Sequence, residues 1–196
     1  MANTIASSLI TRCLDNLSRA GVGLTRSGTT LDNKGIDWLN AAMRRVANSY
    51  DFEELYVTAT ASTADGTKTY PFPDDYSTIF SIKLQDGTSS VKLKLVLSRE
   101  FDKYHPYPEA DAEGKPLWYV PYGTNFELYP IPDAIYTMVA RYSTIPVVIT
   151  ATTDLIDYVP FRDDIIVAAM TAEGFRMYQM LTDAKSWDVE FVRLLK

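Results

Sequence analysis

The chain has 196 residues, enough for one domain with a sizeable core, and its 46% apolar content is that of a globular protein. A formal net charge of −6 argues against sequence-independent nucleic-acid binding, which calls for a basic surface. One cysteine excludes an intrachain disulfide framework, and with one histidine beside it no N/S zinc site can be assembled within one chain.

A lone cysteine fits a reducing compartment. No apolar run approaches the roughly 20 residues that span a bilayer. The amino terminus MANTIASSLITR lacks the charged and apolar regions of a signal peptide. The expectation is a soluble, acidic, cytosol-made protein that has no membrane contact.

In chain order, the first helix is expected to start near Asn3 or Thr4, either of which can accept from free N–H groups. Ile5, Leu9, Cys13 and Leu17 recur every fourth residue, widened by Ile10 and Leu14, and Gly21 and Gly23 end the helix. Cys13 sits inside the apolar stripe, which predicts a packed thiol. A polar loop over 25–30 leads to a second helix from about Asp32, with Ile36, Leu39, Met43, Val46 and Tyr50 as its seam. Arg44 and Arg45 lie opposite that seam, where a solvated face or a subunit salt bridge outweighs phosphate binding.

From Leu55 the period changes to two. Expected strands cover 55–61, 67–72 and 79–85, with turns at Ala64-Asp65-Gly66 and Asp86-Gly87. Val91, Leu93, Leu95 and Leu97 then alternate with Lys92 and Lys94, predicting one half-buried strand. Ser98 is placed to cap a short helix carrying Phe101 and Tyr104. Residues 105–114 (HPYPEADAEG) read as an irregular loop, of which Pro108 to Ala112 is expected to be dispensable for folding.

Residues 115–143 read as three consecutive strands at the centre of the core. Tyr122-Gly123 joins the first two, and Pro130-Ile131-Pro132-Asp133 breaks the ladder before the third. Residues 146–153 are expected to be extended. Pro160 suits a first helical position, and Asp163 and Asp164 lie in the first turn. The apolar surface of the helix is wide, and a break is expected around 182–186. Trp187, Phe191, Leu194 and Leu195 share one face of the last segment, to be buried on this domain or on a partner.

No catalytic constellation emerges. His105 has no orienting partner implied by sequence. The carboxylates at 74–75, 163–164 and 109/111/113 match no calcium loop and are assigned to turns and helix starts. The chain is read as non-enzymatic, with no cofactor and no metal. Trp118, Tyr119, Tyr122 and Tyr129 could form a sugar-stacking platform, so a carbohydrate-binding β-module stays open.

Taken together, the segment IDWLNAAMRRVANSYDFEEL, the phrase TYPFPDDYSTIFSIKLQDG, and KPLWYVPYGTNFELYPIPDAIYTMVARYSTIP before a Pro-started helix form an ordered pattern over nearly the whole chain. That pattern resembles the head-to-tail adaptor (connector) proteins of tailed bacteriophages; "WLN" and "LYPIPD" are its short motifs, and their order and spacing carry the resemblance more than either one. The resemblance implies a structural virion protein made in the host cytoplasm. Such a protein forms a homo-oligomeric ring, commonly a dodecamer, that docks on the portal and extends the DNA channel. It meets a downstream tail or neck protein, and the genome passes without sequence-specific binding.

The expected fold class is α+β: an antiparallel sheet or small β-sandwich of about six to seven strands, packed by two N-terminal helices and a C-terminal helical segment. It is read as a single adaptor domain over 1–196, divided into 1–52, 53–150 and 151–196. Candidate portal contacts are Trp187, Phe191, Leu194 and Leu195. Candidate subunit contacts are Arg44, Arg45, Tyr104, Tyr107 and Tyr122. The alternative is another neck or tail structural protein, a tail terminator or gatekeeper.

Overall fold

A computed structural model describes residues 4–22, 29–87, 89–158 and 162–196. The architecture is α+β. Five helices are described: α1 Ala6–Arg19, α2 Thr29–Ser49, α3 Ser98–Tyr104, α4 Asp163–Met177 and α5 Leu181–Leu194. Eight strands are described: β1 Tyr56–Ser62, β2 Thr69–Pro71, β3 Tyr76–Asp86, β4 Ser89–Lys92, β5 Lys94–Leu95, β6 Trp118–Tyr122, β7 Asn125–Tyr129 and β8 Thr137–Thr144. Contacts divide the chain into two compact units, 1–55 with 145–196, and Tyr56–Thr144.

The helical unit has its own core. On α1 the expected stripe is buried: Ala6, Leu9, Ile10, Cys13, Leu14 and Leu17. α4 buries an unbroken run from Ile165 to Ala172, plus Gly174 and Phe175, because α1, α2 and α5 all pack on it. Two glycines permit the closest approaches. A Cβ at Gly35 would lie 2.6 Å from Ile10 Cγ2, and one at Gly174 would lie 2.8 Å from Leu17 Cδ1.

Several local expectations change in this unit. No side chain caps α1; Thr4 instead donates its hydroxyl to Asp163 at 2.9 Å. α2 begins at Thr29, ahead of Asp32. The last helical break falls at 178–180, earlier than expected, where Gln179 takes φ 61°. Residues 146–153, expected to be extended, join no sheet and are held in place by side chains. The Ile149 N–H donates to Asn40 Oδ1, and Asn40 Nδ2 donates to the Ile149 carbonyl, both at 2.8 Å. Asp154 accepts from the N–H groups of Thr150 and Ala151, each at 2.9 Å. Asn3, Gly23, residues 25–28 of the polar loop and Pro160 lie outside the described residues.

The β unit is two four-stranded sheets, ordered β1-β8-β3-β4 and β2-β7-β6-β5. They share a core that includes Ile82, Leu84 and Met138 from one sheet and Tyr119, Phe126 and Leu128 from the other. All pairings are antiparallel except β5 with β6.

Two corrections follow. Residues 115–143 are not three neighbouring strands: β6 and β7 form a hairpin through Gly123 at φ 62°, while β8 lies in the other sheet between β1 and β3. Without N–H groups at positions 130 and 132, the connecting segment leaves the ladder and crosses between sheets. Likewise the 91–97 strand is broken at Leu93. β4 pairs with β3 in one sheet and β5 with β6 in the other, so Leu93 is buried while Leu95 and Leu97 are 50% and 66% exposed. Ser98 is the first residue of α3 and makes no cap bond.

Candidate interaction surfaces

In the helical unit, the four apolar residues of the C-terminal segment fold onto their own core. Phe191 is 3% exposed, and Trp187, Leu194 and Leu195 pack half-buried against the same cluster. In the single chain the subunit's own core receives all four, and Trp187, Leu194 and Leu195 keep part of their surface exposed.

Arg45 explains part of this docking. Its guanidinium lies 4.4 Å from the Phe191 ring centroid and forms an ion pair with Asp188 at 2.8 Å. Arg176 bridges Asp188 at 2.5 Å and Glu173 at 2.6 Å. Burial pushes the Asp188 carboxyl up, but its contacts with Arg45 and Arg176 hold it below the ordinary carboxylate range. Arg45 is therefore committed inside the subunit, whereas Arg44, one position earlier, is exposed.

Leu181, Val189 and Val192 form an outer stripe on α5, interrupted by Lys185 and away from Ala184 and Phe191. Sequence reasoning missed this stripe, although its spacing of eight and three residues was a readable signal. Beside α5 an open cleft of about 400 Å³ is lined by arginines and carboxylates from α1, α4 and α5. Arg12 pairs with Asp164 and Arg193 with Glu190, so the cleft is charge-compensated. Cys13 is fully buried, which pushes its thiol up to about 12 and leaves it inert at neutral pH.

In the β unit, residues 105–114 are more ordered than expected. They include a short turn of helix, Pro108–Ala110, and pack on the outer side of β6 and β7. The His105 ring lies 4.3 Å from Tyr129 and 5.2 Å from Phe101. Asp111 accepts from the Tyr129 hydroxyl at 2.7 Å and lies 3.3 Å from His105 Nδ1. Glu109 pairs with Lys68. His105 thus has a carboxylate neighbour, but the cluster around it is aromatic packing with no nucleophile. Among the described residues no group of three or more His, Cys, Asp or Glu is placed to hold a metal.

The proposed sugar platform is not assembled. Trp118 and Tyr129 stack on each other at 5.5 Å, Tyr119 is buried in the core at 6% exposure, and Tyr122 stands alone at the hairpin. Tyr104, Tyr107 and Tyr122 are all strongly exposed and belong to the β unit, while Arg44 and Arg45 belong to the helical unit.

A further feature of the β unit is an apolar cleft of about 290 Å³ beside β1, with Phe72, Ile82, Phe126 and Met138 in its wall. The sequence signal for it was weak, because small residues such as Ala59 and Ala61 read as ordinary strand filler.

A family model described as SU10 adaptor protein matches residues 4–196. The chain belongs to this family. No curated protein matches it. The adaptor is accordingly a bacteriophage structural protein of the virion, in agreement with the resemblance to head-to-tail adaptors. Its short motifs also gain physical roles: Trp38 packs edge-on against Tyr178, Asn40 holds the backbone of Ile149, and residues 128–133 carry the chain from one sheet to the other.

Proposed function

We propose that this adaptor assembles as a homo-oligomeric ring, a dodecamer, which docks on the phage portal, extends the DNA channel and connects the capsid to the tail at the neck. The observation that carries the reading is the adaptor-family match over residues 4–196. The net charge of −6 supports it, because an acidic wall repels phosphates and lets the genome slide where a basic wall would hold it. The helical unit is the portal-facing candidate. Trp187, Leu194 and Leu195 meet the portal with their exposed edges, and Phe191 shapes α5 from beneath. Arg44, Tyr104, Tyr107 and Tyr122 are free-standing enough to serve contacts between subunits or with the next tail component.

Cryo-electron microscopy of the neck tests this reading. The adaptor belongs between the portal and the first tail component; density for this chain at the distal tail assigns it to the terminator class instead.

A further inference from the structure

The open edges of the β unit are unequal. β2 is three residues long and ends in Pro71, β4 is four residues and carries Lys92, and β5 is two residues and begins with Lys94. Short strands, prolines and lysines are the usual protection of an edge against pairing with another chain. β1 has none of these. It runs seven residues, YVTATAS, without charge or proline, in unbroken register with β8, and among the described residues no second strand pairs with it.

The core beside β1 is also unfinished. Register pairs Ala59 with Ala140 and Ala61 with Met138, so these alanines face the shared core, yet Ala61 is exposed and Ala59 only half-buried. Their small side chains open the 290 Å³ apolar cleft described above. A free strand edge next to an apolar cleft is the geometry that accepts an added strand: backbone pairing gives affinity, and alternate side chains fill the cleft.

The same unit carries a fitting counterpart on its opposite side. The two sheet orders put β1 and β2 at one side and β4 and β5 at the other. There Leu95 is in register with the core residue Tyr119, and Leu97 follows two positions on in extended conformation, but both are at least half exposed. Lys92 and Lys94 flank them, while Asp74 lines the cleft. Cleft and ridge therefore match in hydropathy and in charge.

We propose that the β unit associates with a second copy of this chain, head to tail, so that Leu95 and Leu97 of one copy enter the cleft beside β1 of the next. The contact is heterologous, joining two different patches, and repetition of it closes a ring or extends a chain of subunits. It rests on the ring reading above, whose subunit contact it locates.

Cysteine trapping tests the contact. Buried Cys13 does not compete, so Ala61→Cys and Leu97→Cys are each made singly, purified as full chains and mixed under oxidising conditions, alone and with portal. A cross-linked dimer that forms in the mixture, and in neither variant alone, supports the proposal. Cross-linking of Ala61→Cys with itself shows symmetric pairing of two β1 edges and overturns it. Oligomers without any cross-link leave the ring reading standing and overturn this interface. A chain that stays monomeric and untrapped, with and without portal, overturns both.

A second variant reads the energetics. Leu95→Asp with Leu97→Asp changes only exposed positions, so the monomer keeps its unfolding midpoint. The self-dissociation constant rises by at least about tenfold, equivalent to roughly 1.4 kcal/mol. Unchanged self-association in that variant overturns the proposal.

Discussion

The helical unit and the β unit meet the same demand, the burial of apolar surface, with different completeness. The helical unit fills its core around α4, whose run from Ile165 to Ala172 is buried, and Phe191 finds a place under Arg45, while Leu181, Val189 and Val192 stay exposed on the outside of α5. The β unit covers its middle strands but leaves Val57 and Ala61 at one side and Leu95 and Leu97 at the other open to solvent. The lesson is that the two units suit different tasks. In the helical unit the exposed apolar groups stand outside a filled core, whereas in the β unit the core itself opens at the cleft beside β1.

Substitutions can break or sharpen this contrast. The largest effect belongs to the bundle centre. Phe175→Ala should lower stability by about 3–5 kcal/mol in urea unfolding, since Phe175 is 1% exposed and the cavity cannot collapse within a packed four-helix core. A paired test comes next. Ala169→Val, at a fully buried site on α4, should cost about 1–3 kcal/mol through overpacking. The same change at Ala61 should stay within about 0.5 kcal/mol, because a cleft has room for two more methyls. Equal costs at the two sites would refute the claim that the cleft is open.

Asn40→Ala removes both hydrogen bonds to Ile149 and should cost about 1–3 kcal/mol, because both backbone groups of Ile149 lose their partners. The smallest effect is acid-dependent. Asp188 has its carboxyl held low in the folded state, so its contribution is complete above the unfolded value of about 3.9 and is lost as pH falls through the lower folded value. Between about pH 5 and pH 2 the wild-type urea midpoint should therefore fall more steeply than that of Asp188→Asn. Parallel slopes would mean that the Arg45–Asp188–Arg176 cluster does not stabilise α5.

Much of the bundle was legible in the sequence, because helical periodicity names the buried face directly. The α1 stripe and the wide apolar surface of α4 are where spacing put them. The sheets were legible as strands but not as partners. Alternation gives a strand two faces and says nothing about which sheet it joins, so it predicts β8 beside β7 and reads 91–97 as one strand. The crossings at Leu93 and at residues 130–136 are set by tertiary pairing. The exposed surfaces were the least legible. Arg45 read as a candidate for subunit contact because its partner Asp188 lies 143 positions away, a pairing that only the fold creates. The cleft beside β1 exists through the smallness of Ala59 and Ala61, and missing bulk leaves no motif.

The most direct test of the neck-adaptor account is native mass spectrometry of the full chain mixed with portal. A single complex holding twelve copies of this chain on one portal ring is the expected result. A chain that remains monomeric and separate from portal at concentrations where both are folded would contradict the account.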